Sequence, residues 1–419
     1  MANDYLEDKV FCSIKEFDEF GHVVSELCGQ YEDIDHVIHL EEFSGGEFCP
    51  KFLVPIKDKT VYLFATPDHK VNTQEMISRI WLVSDAAMEN GAKDIVLIAP
   101  ELPYSRQDRG PKEDKKFKGR PFSAKALAKN FHLWGIKKVL THHMHTKRIY
   151  NIYGRIYGKD KLAEYSKREG ITPDKIIERE DQIGRRIIYN LNPNPLLAHY
   201  LRFNSSLVKD YGLDITGKDI VFISPDAGAK FNISNLQSYC FLPESSYCNC
   251  LKIRESPNNP DDVTVELDEF SDNFSGLENK TIIIADDIVD TGGTLKNTCI
   301  ALKNTPEYGT PKDILIYFTH PVLAGTNNRQ IQKKISSIKP QEIITTNTHP
   351  YIEERRNPAW KKNSSILRIA YYTKDVIQRC ITNGLIPQDA YKYDSLEELK
   401  QVASLYDIKR DRNHFLELK

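Results

Sequence analysis

The sequence has little of what marks a membrane, secreted or nucleic-acid-binding chain. No apolar run approaches the roughly 20 residues that a bilayer-spanning helix needs, so no membrane partner is expected. The formal net charge of −2 leaves no basic surplus, which argues against nucleic acid as a partner. The eight cysteines are scattered rather than spaced as a disulfide framework. Their nearest cluster, Cys240, Cys248 and Cys250, has no fourth zinc ligand close by. The start, Met1-Ala2-Asn3-Asp4, is acidic and unlike a secretory leader, so reduced thiols in a cytoplasmic protein are expected. What remains is a globular composition over 419 residues, enough for two domains.

The most informative stretch runs from Thr281 to Leu295, T-I-I-I-A-D-D-I-V-D-T-G-G-T-L. Its β-branched run, Thr281 to Ile284, reads as a strand buried on both faces of a parallel sheet. Asp286 and Asp287 then stand at the strand's C-terminal end. Asp290, Thr291, Gly292, Gly293 and Thr294 follow, and a helix starts near Leu295. Strand, small-residue loop and helix start make a phosphate cradle, because unpaired N–H groups and the helix dipole point at the anion. The acidic pair would suit ribose hydroxyls, a bound Mg²⁺, or both.

Elsewhere strands alternate with helices. Strands are predicted at Val10–Ser13, Thr60–Ala65, Asp94–Ala99, Lys138–Thr141, Asp219–Ser224, Asp313–Thr319, Glu342–Thr346 and Ile366–Ala370. Helices are predicted at Gly21–Gln30, Asn72–Asn90 (stopped by Gly91), Leu196–Tyr211, Asn328–Ser337, Lys374–Cys380 and Ser395–Leu405, with another capped by Ser123 and ending near Trp134. This alternation indicates an α/β fold of two similar doubly wound domains with mainly parallel sheets. Functional residues are then expected just past the strand C-termini, where Tyr104–Arg109 and His142–His145 fall. Residues 154–189 are charged and without strand pattern, an inserted helical excursion. The expected division is an N-terminal domain, 1–190, a C-terminal domain, 191–383, and an extension, 384–419. An alternative path takes the last strand and helix back to the first domain. Glu42–Glu47 reads as a surface turn, and Lys252 and Arg254 lie at the start of a Pro/Asn-rich segment suited to a mobile loop.

The Thr281–Leu295 segment closely resembles the phosphoribosyl-pyrophosphate (PRPP) loop of type I phosphoribosyltransferases and PRPP synthetases. Further segments, in order, resemble the ribose-phosphate pyrophosphokinases, that is, the PRPP synthetases. Tyr104-Ser105-Arg106-Gln107-Asp108-Arg109 is similar to their Y-A-R-Q-D-R/K. Pro121-Phe122-Ser123-Ala124-Lys125 is similar to P-I-S-A-K, and His145 takes the place of the histidine in D-L-H. Ser224-Pro225-Asp226-Ala227-Gly228 matches S-P-D-A-G, and Lys252-x-Arg254 resembles the catalytic K-x-R. Thr319-His320 and Thr345–Thr348 match late strand ends. The resemblance runs from about Val10 to Cys380, the excursion excepted.

That resemblance implies a type I phosphoribosyltransferase-like fold and transfer of the β,γ-diphosphoryl group of ATP to ribose 5-phosphate, with Mg²⁺ as cofactor. It implies that Arg106, Gln107, Asp108 and His145 contact ATP, with His145 and Asp226 near the metal. Asp286, Asp287, Asp290, Thr291, Gly292, Gly293 and Thr294 would hold ribose 5-phosphate, and Lys252 and Arg254 would be catalytic. Phe43 and Glu47 would reach ATP on a neighbouring subunit of a homo-oligomer, dimer or hexamer. The sequence also departs from the family. Gly45 replaces an Asn or Asp, the Asp226–Lys230 loop is one glycine short, the Asp108–Pro121 loop is long, and His143 replaces acidic character. Two alternatives stay open: a silent regulatory subunit, and a diphosphotransferase acting on a larger ribose 5-phosphate ester.

Overall fold

The structure, a computed structural model, describes residues 8–30, 33–66, 72–168, 170–212, 216–225, 230–254, 263–303, 305–323, 328–349, 352–378 and 395–403. The chain divides into two compact units, Met1–Asn192 with Ala370–Ala390, and Pro193–Ile369 with Tyr391–Lys419. Among the described residues, no helix is long and apolar enough to cross a membrane.

In the first unit the strands are β1 (Lys9–Ser13), β2 (Ile38–Glu42), β3 (Phe48–Phe52), β4 (Thr60–Phe64), β5 (Asp94–Ile98), β6 (Ile136–His142) and β7 (Ile188–Leu191). Five of them form one parallel sheet in the order β1-β4-β5-β6-β7. Their central runs, such as Val61–Phe64 and Ile95–Ile98, are buried on both faces, which is why they read as unbroken apolar stretches. Strands β2 and β3 form a separate antiparallel hairpin whose tip is Phe43–Glu47. The sequence reading found only the tip, as a turn.

The first unit's helices are α1 (Glu19–Leu27), α2 (Ile34–Val37), α3 (Thr73–Glu89), α4 (Ser123–Leu133), α5 (Arg148–Tyr157), α6 (Lys159–Ser166) and α7 (Pro173–Gly184). Helix α3 keeps its predicted limits. The Asn72 carboxamide accepts from Gln74 N and Glu75 N, and Gly91 ends the helix at φ +79°. Met76, Ile80, Val83 and Ala87 make its buried face. The excursion predicted over 154–189 begins earlier, at Arg148, and is not wholly helical. It ends in β7, a short edge strand beside β6.

The second unit contains β8 (Ile220–Ser224), β9 (Ser246–Arg254), β10 (Val263–Phe270), β11 (Thr281–Ile288), β12 (Asp313–His320), β13 (Glu342–Thr346) and β14 (Ser364–Leu367). Its sheet has the order β10-β9-β8-β11-β12-β13-β14 and is parallel except where β10 runs against β9. The chain passes from β8 to β9 on one side, then returns to place β11 on the other. Strand order therefore reverses between β8 and β11, the kind of switch point beside which α/β sheets bind ligands. Helices α8 (Asn194–Phe203), α9 (Ser206–Tyr211), α10 (Lys230–Tyr239), α11 (Gly293–Lys303), α12 (Asn328–Ser336), α13 (Ile352–Arg355) and α14 (Pro358–Asn363) also belong to this unit, and α11 to α14 contribute to its core.

The C-terminal elements differ from the expected boundaries. Strand β14 ends at Leu367 and stays in the second sheet, and the helix that follows, α15, spans Ala370–Val376 rather than Lys374–Cys380. Helix α15 packs on α1 and belongs to the first unit.

Candidate active site

At the switch point of the second unit, β11 runs on to Ile288 and carries both acidic residues inside the sheet. Asp286 pairs in register with Phe318 and Ile288 with His320. The Asp287 N–H donates to Asp286 Oδ1 at 3.0 Å, and the two side chains are only 6% and 9% exposed. Adjacent carboxylates this deep are costly unless hydrogen-bond donors or a cation meet them. On the neighbouring strand, where Tyr317 pairs with Ala285, burial pushes the Tyr317 phenol well above its usual range, so it stays neutral, with its oxygen 2.9 Å from Thr319 Oγ1.

The turn after β11 is fixed by its neighbour strand. Val289 N donates to His320 O and Leu323 N to Val289 O, so the 320–323 main chain brackets the start of the loop. Gly292 is buried at φ +70°, and a Cβ there would press on Ile335 at 3.2 Å. A glycine is needed on both counts. Its carbonyl accepts from Lys296 N, and α11 starts at Gly293. The first N–H groups of α11 lack intrahelical acceptors and face the loop Asp290–Thr294 with the positive end of the helix dipole. Thr291 is exposed, while Thr294 is half-buried and its carbonyl takes the Thr298 hydroxyl. Farther along the same sheet edge, the Thr346 and Thr348 hydroxyls both donate to Thr319 O, and His320 Nδ1 lies 3.0 Å from Thr348 Oγ1.

In the first unit the candidate residues follow β5 and β6. Tyr104 takes a left-handed φ of +57°, its carbonyl accepts from Gln107 N, and Arg106 and Gln107 are exposed beyond it. Ser123 is not the cap of α4. It is the first helical residue, and its hydroxyl donates to Gln107 Oε1 at 2.6 Å. The local capping signal lost to a tertiary partner. Asp108 is paired with Arg148 of α5, whose Nε lies 3.3 Å away, and Arg148 Nη2 also donates to Glu113 Oε2 at 2.6 Å. The long Asp108–Pro121 loop is thereby pinned to α5. His142 is buried, with Nε2 3.1 Å from the Thr373 hydroxyl, and His143 is buried at φ +40°; His145 is exposed.

Phe43 and Glu47 are exposed at the hairpin tip, which Phe43 N→Glu47 O and Gly46 N→Phe43 O close. Arg79 of α3 holds the strand ends next to the tip, through an ion pair to Glu42 and a guanidinium 4.7 Å from the centre of the Phe48 ring. Lys252 and Arg254 correct the sequence reading. They are not loop residues but stand on β9, in register with Val265 and Val263 of β10. Asp226 and the segment 255–262 lie outside the described residues. One cluster of side chains was missed. His22, Asp33 and Asp35 bring their ligand atoms within 4.8 Å of one another. The two carboxylates also serve the local backbone, Asp33 capping α2 and Asp35 accepting from Phe17 N.

A buried acidic pair and a left-handed glycine ahead of α11, at the reversal of a mainly parallel sheet, define a phosphoribosyltransferase-type α/β protein. Residues 203–307 match the phosphoribosyl transferase domain model, and residues 22–135 match the N-terminal domain of ribose phosphate pyrophosphokinase. The chain belongs to the ribose-phosphate pyrophosphokinase family. It is 24% identical over 327 residues to the ribose-phosphate pyrophosphokinase of Staphylococcus saprophyticus, covering 78% of this chain and 81% of that one. Against the enzyme of Mycobacterium leprae the identity is 24% over 351 residues, covering 82% and 85%. A solved phosphoribosylpyrophosphate synthetase from Mycobacterium smegmatis shares the fold, with a TM-score of 0.65 and 20% identity over 90% of this chain and 100% of that one.

Proposed function

We propose that the protein is a ribose-phosphate diphosphokinase. The anomeric oxygen of ribose 5-phosphate bonds to the β-phosphorus of ATP, and the bond from that phosphorus to the α,β-bridging oxygen breaks. AMP leaves with the bridging oxygen, the hydroxyl proton passes to solvent, and PRPP forms. One observation carries the reading: the buried Asp286–Asp287 pair leads directly into the left-handed Gly292 and the open start of α11. That arrangement offers acceptors for two ribose hydroxyls and donors for the 5-phosphate within one turn of chain. Asp290, Thr291, Gly293 and Thr294 complete the phosphate side.

On the first unit, the exposed Arg106, Gln107 and His145 are the proposed contacts of ATP. Asp108, already paired with Arg148, orders the loop beneath them. An imidazole and a carboxylate, His145 and Asp226, suit Mg²⁺, which keeps most of its water and takes phosphate oxygens as its other ligands. When bound, the ion supplies charge neutralisation at the triphosphate. Lys252 and Arg254 are proposed to stabilise the charge that builds on the transferring group. Losing one such cation would cost about 3 kcal/mol, roughly a hundredfold in kcat. Lys252→Ala should therefore collapse turnover and leave ATP affinity nearly unchanged. The exposed aromatic and carboxylate at the hairpin tip, Phe43 and Glu47, support contact with ATP on a neighbouring subunit of a homo-oligomer.

The test is AMP release from ATP and Mg²⁺ with and without ribose 5-phosphate. AMP that appears only with the sugar phosphate supports the reading. ATP that binds but yields no AMP would replace it with a silent subunit.

A further inference from the structure

The loop that carries His145 is tied down by a strand to which no role has been given. After β6 the chain turns sharply through His143, buried at φ +40°, a conformation that costs a non-glycine side chain energy and persists only where its surroundings impose it. The His143 N–H donates to Leu191 O at 2.8 Å. The next N–H, of Met144, donates to Asn190 Oδ1, also at 2.8 Å. His145 follows, exposed. Asn190 and Leu191 are the last two residues of β7, in register with Thr141 and His142 of β6. Two successive N–H groups of a strained turn are thus held by one edge strand, the first through its main chain and the second through a side chain. Any residue at 191 could supply the first bond. Only a residue with an acceptor of this reach can supply the second.

We infer that Asn190 is a positioning residue for nucleotide binding: it fixes the His143–Met144 peptide, one peptide ahead of the bond into His145, and thereby aims that imidazole. The inference rests on the reading of His145 as a group on the ATP side. It also gives the helical excursion a use. α5 leaves from the His145 loop, α7 packs back on α5, and β7 then returns to hold the loop.

The experiment measures equilibrium affinity for ATP with Mg²⁺, affinity for ribose 5-phosphate, the KM for ATP and amide exchange at Met144. It uses the full-length parent, Asn190→Ala, Asn190→Val and Asn190→Asp. Loss of one backbone hydrogen bond at a turn is expected to weaken ATP binding about tenfold. The KM for ATP should rise accordingly, with ribose 5-phosphate affinity unchanged and the Met144 amide exchanging faster. Asn190→Asp keeps an oxygen in the same place and should recover most of the affinity. Asn190→Val, a strand-forming residue without an acceptor, makes the same comparison should Asn190→Ala not fold. ATP affinity within twofold of the parent in the folded Ala or Val variant overturns the inference. So do equal losses for both substrates, or an Asp variant no better than Ala. A parent that binds no ATP at all overturns instead the nucleotide reading of His145, and this inference with it.

Discussion

Helices α5 and α7 of the excursion meet at two glycines. A Cβ on Gly154 would fall on the Glu180 carbonyl oxygen, and one on Gly184 would fall on the Tyr150 carbonyl oxygen. Neither clash is with a flexible side-chain end, so the helices would have to separate by more than an ångström. Separation would open the packing around Tyr150 and Tyr153 and pull Arg155 from Glu180, now joined by two hydrogen bonds of 2.8 and 3.0 Å. Overpacking against backbone costs about 3 kcal/mol or more when the site cannot yield. For a unit of this size that is a fall in melting temperature of roughly 6–12 °C. The ion pair alone is worth less, because Arg155 is 51% exposed; Arg155→Ala should cost about 1–2 kcal/mol. Gly154→Ala should therefore destabilise more than Arg155→Ala in paired thermal and urea unfolding. A Gly154→Ala protein that melts within about 2 °C of the parent would refute the close crossing.

Gly292→Ala should cost about 1–3 kcal/mol of stability, because it forces a left-handed alanine against Ile335, and should weaken ribose 5-phosphate binding more than ATP binding; titration calorimetry separates the two. Burial lowers the His199 pKa to about 4, below the ordinary 6.5, so the unfolded chain takes up a proton before the native one does. Stability is then full above pH 6.5 and falls from there toward pH 4, by on the order of 2 kcal/mol. Urea midpoints for the parent and His199→Gln across that range should converge as pH falls. Among the described thiols Cys49 is exposed, whereas Cys12, Cys28, Cys240, Cys248, Cys250 and Cys299 are buried, and burial raises the Cys248 pKa to about 12. Alkylation at neutral pH should modify Cys49 first and leave these six largely unmodified until the protein unfolds, as peptide mass mapping would show.

Much of the fold was legible because its signals are local. Thr281–Ile284 is an unbroken β-branched run, and the structure buries it on both faces. Asn72 and Gly91 carry the backbone signals that bound α3. Elements decided by distant partners were harder to read. β2 and β3 have mixed exposure and a proline at Pro50, so only their turn stood out. β10 is acidic and exists through its pairing with β9, which turned the expected loop position of Lys252 and Arg254 into a strand position. β7 follows a charged helix and is only four residues long, too short for periodicity to show. Ser123 shows a helix cap signal, but nothing in its neighbourhood reveals that Gln107 will take the hydroxyl. Of the candidate site, the acidic pair and the glycine turn were plain from residue type alone. The pairing of Asp108 with Arg148, and the hold of Asn190 on Met144, required the fold.

The most direct measurement is phosphorus NMR of the products formed from ATP, Mg²⁺ and ribose 5-phosphate. The account predicts AMP together with a sugar that keeps its 5-phosphate and gains two mutually coupled phosphorus signals at the anomeric position. ADP with a monophosphorylated anomeric carbon, or an unchanged sugar phosphate beside intact ATP, would contradict it.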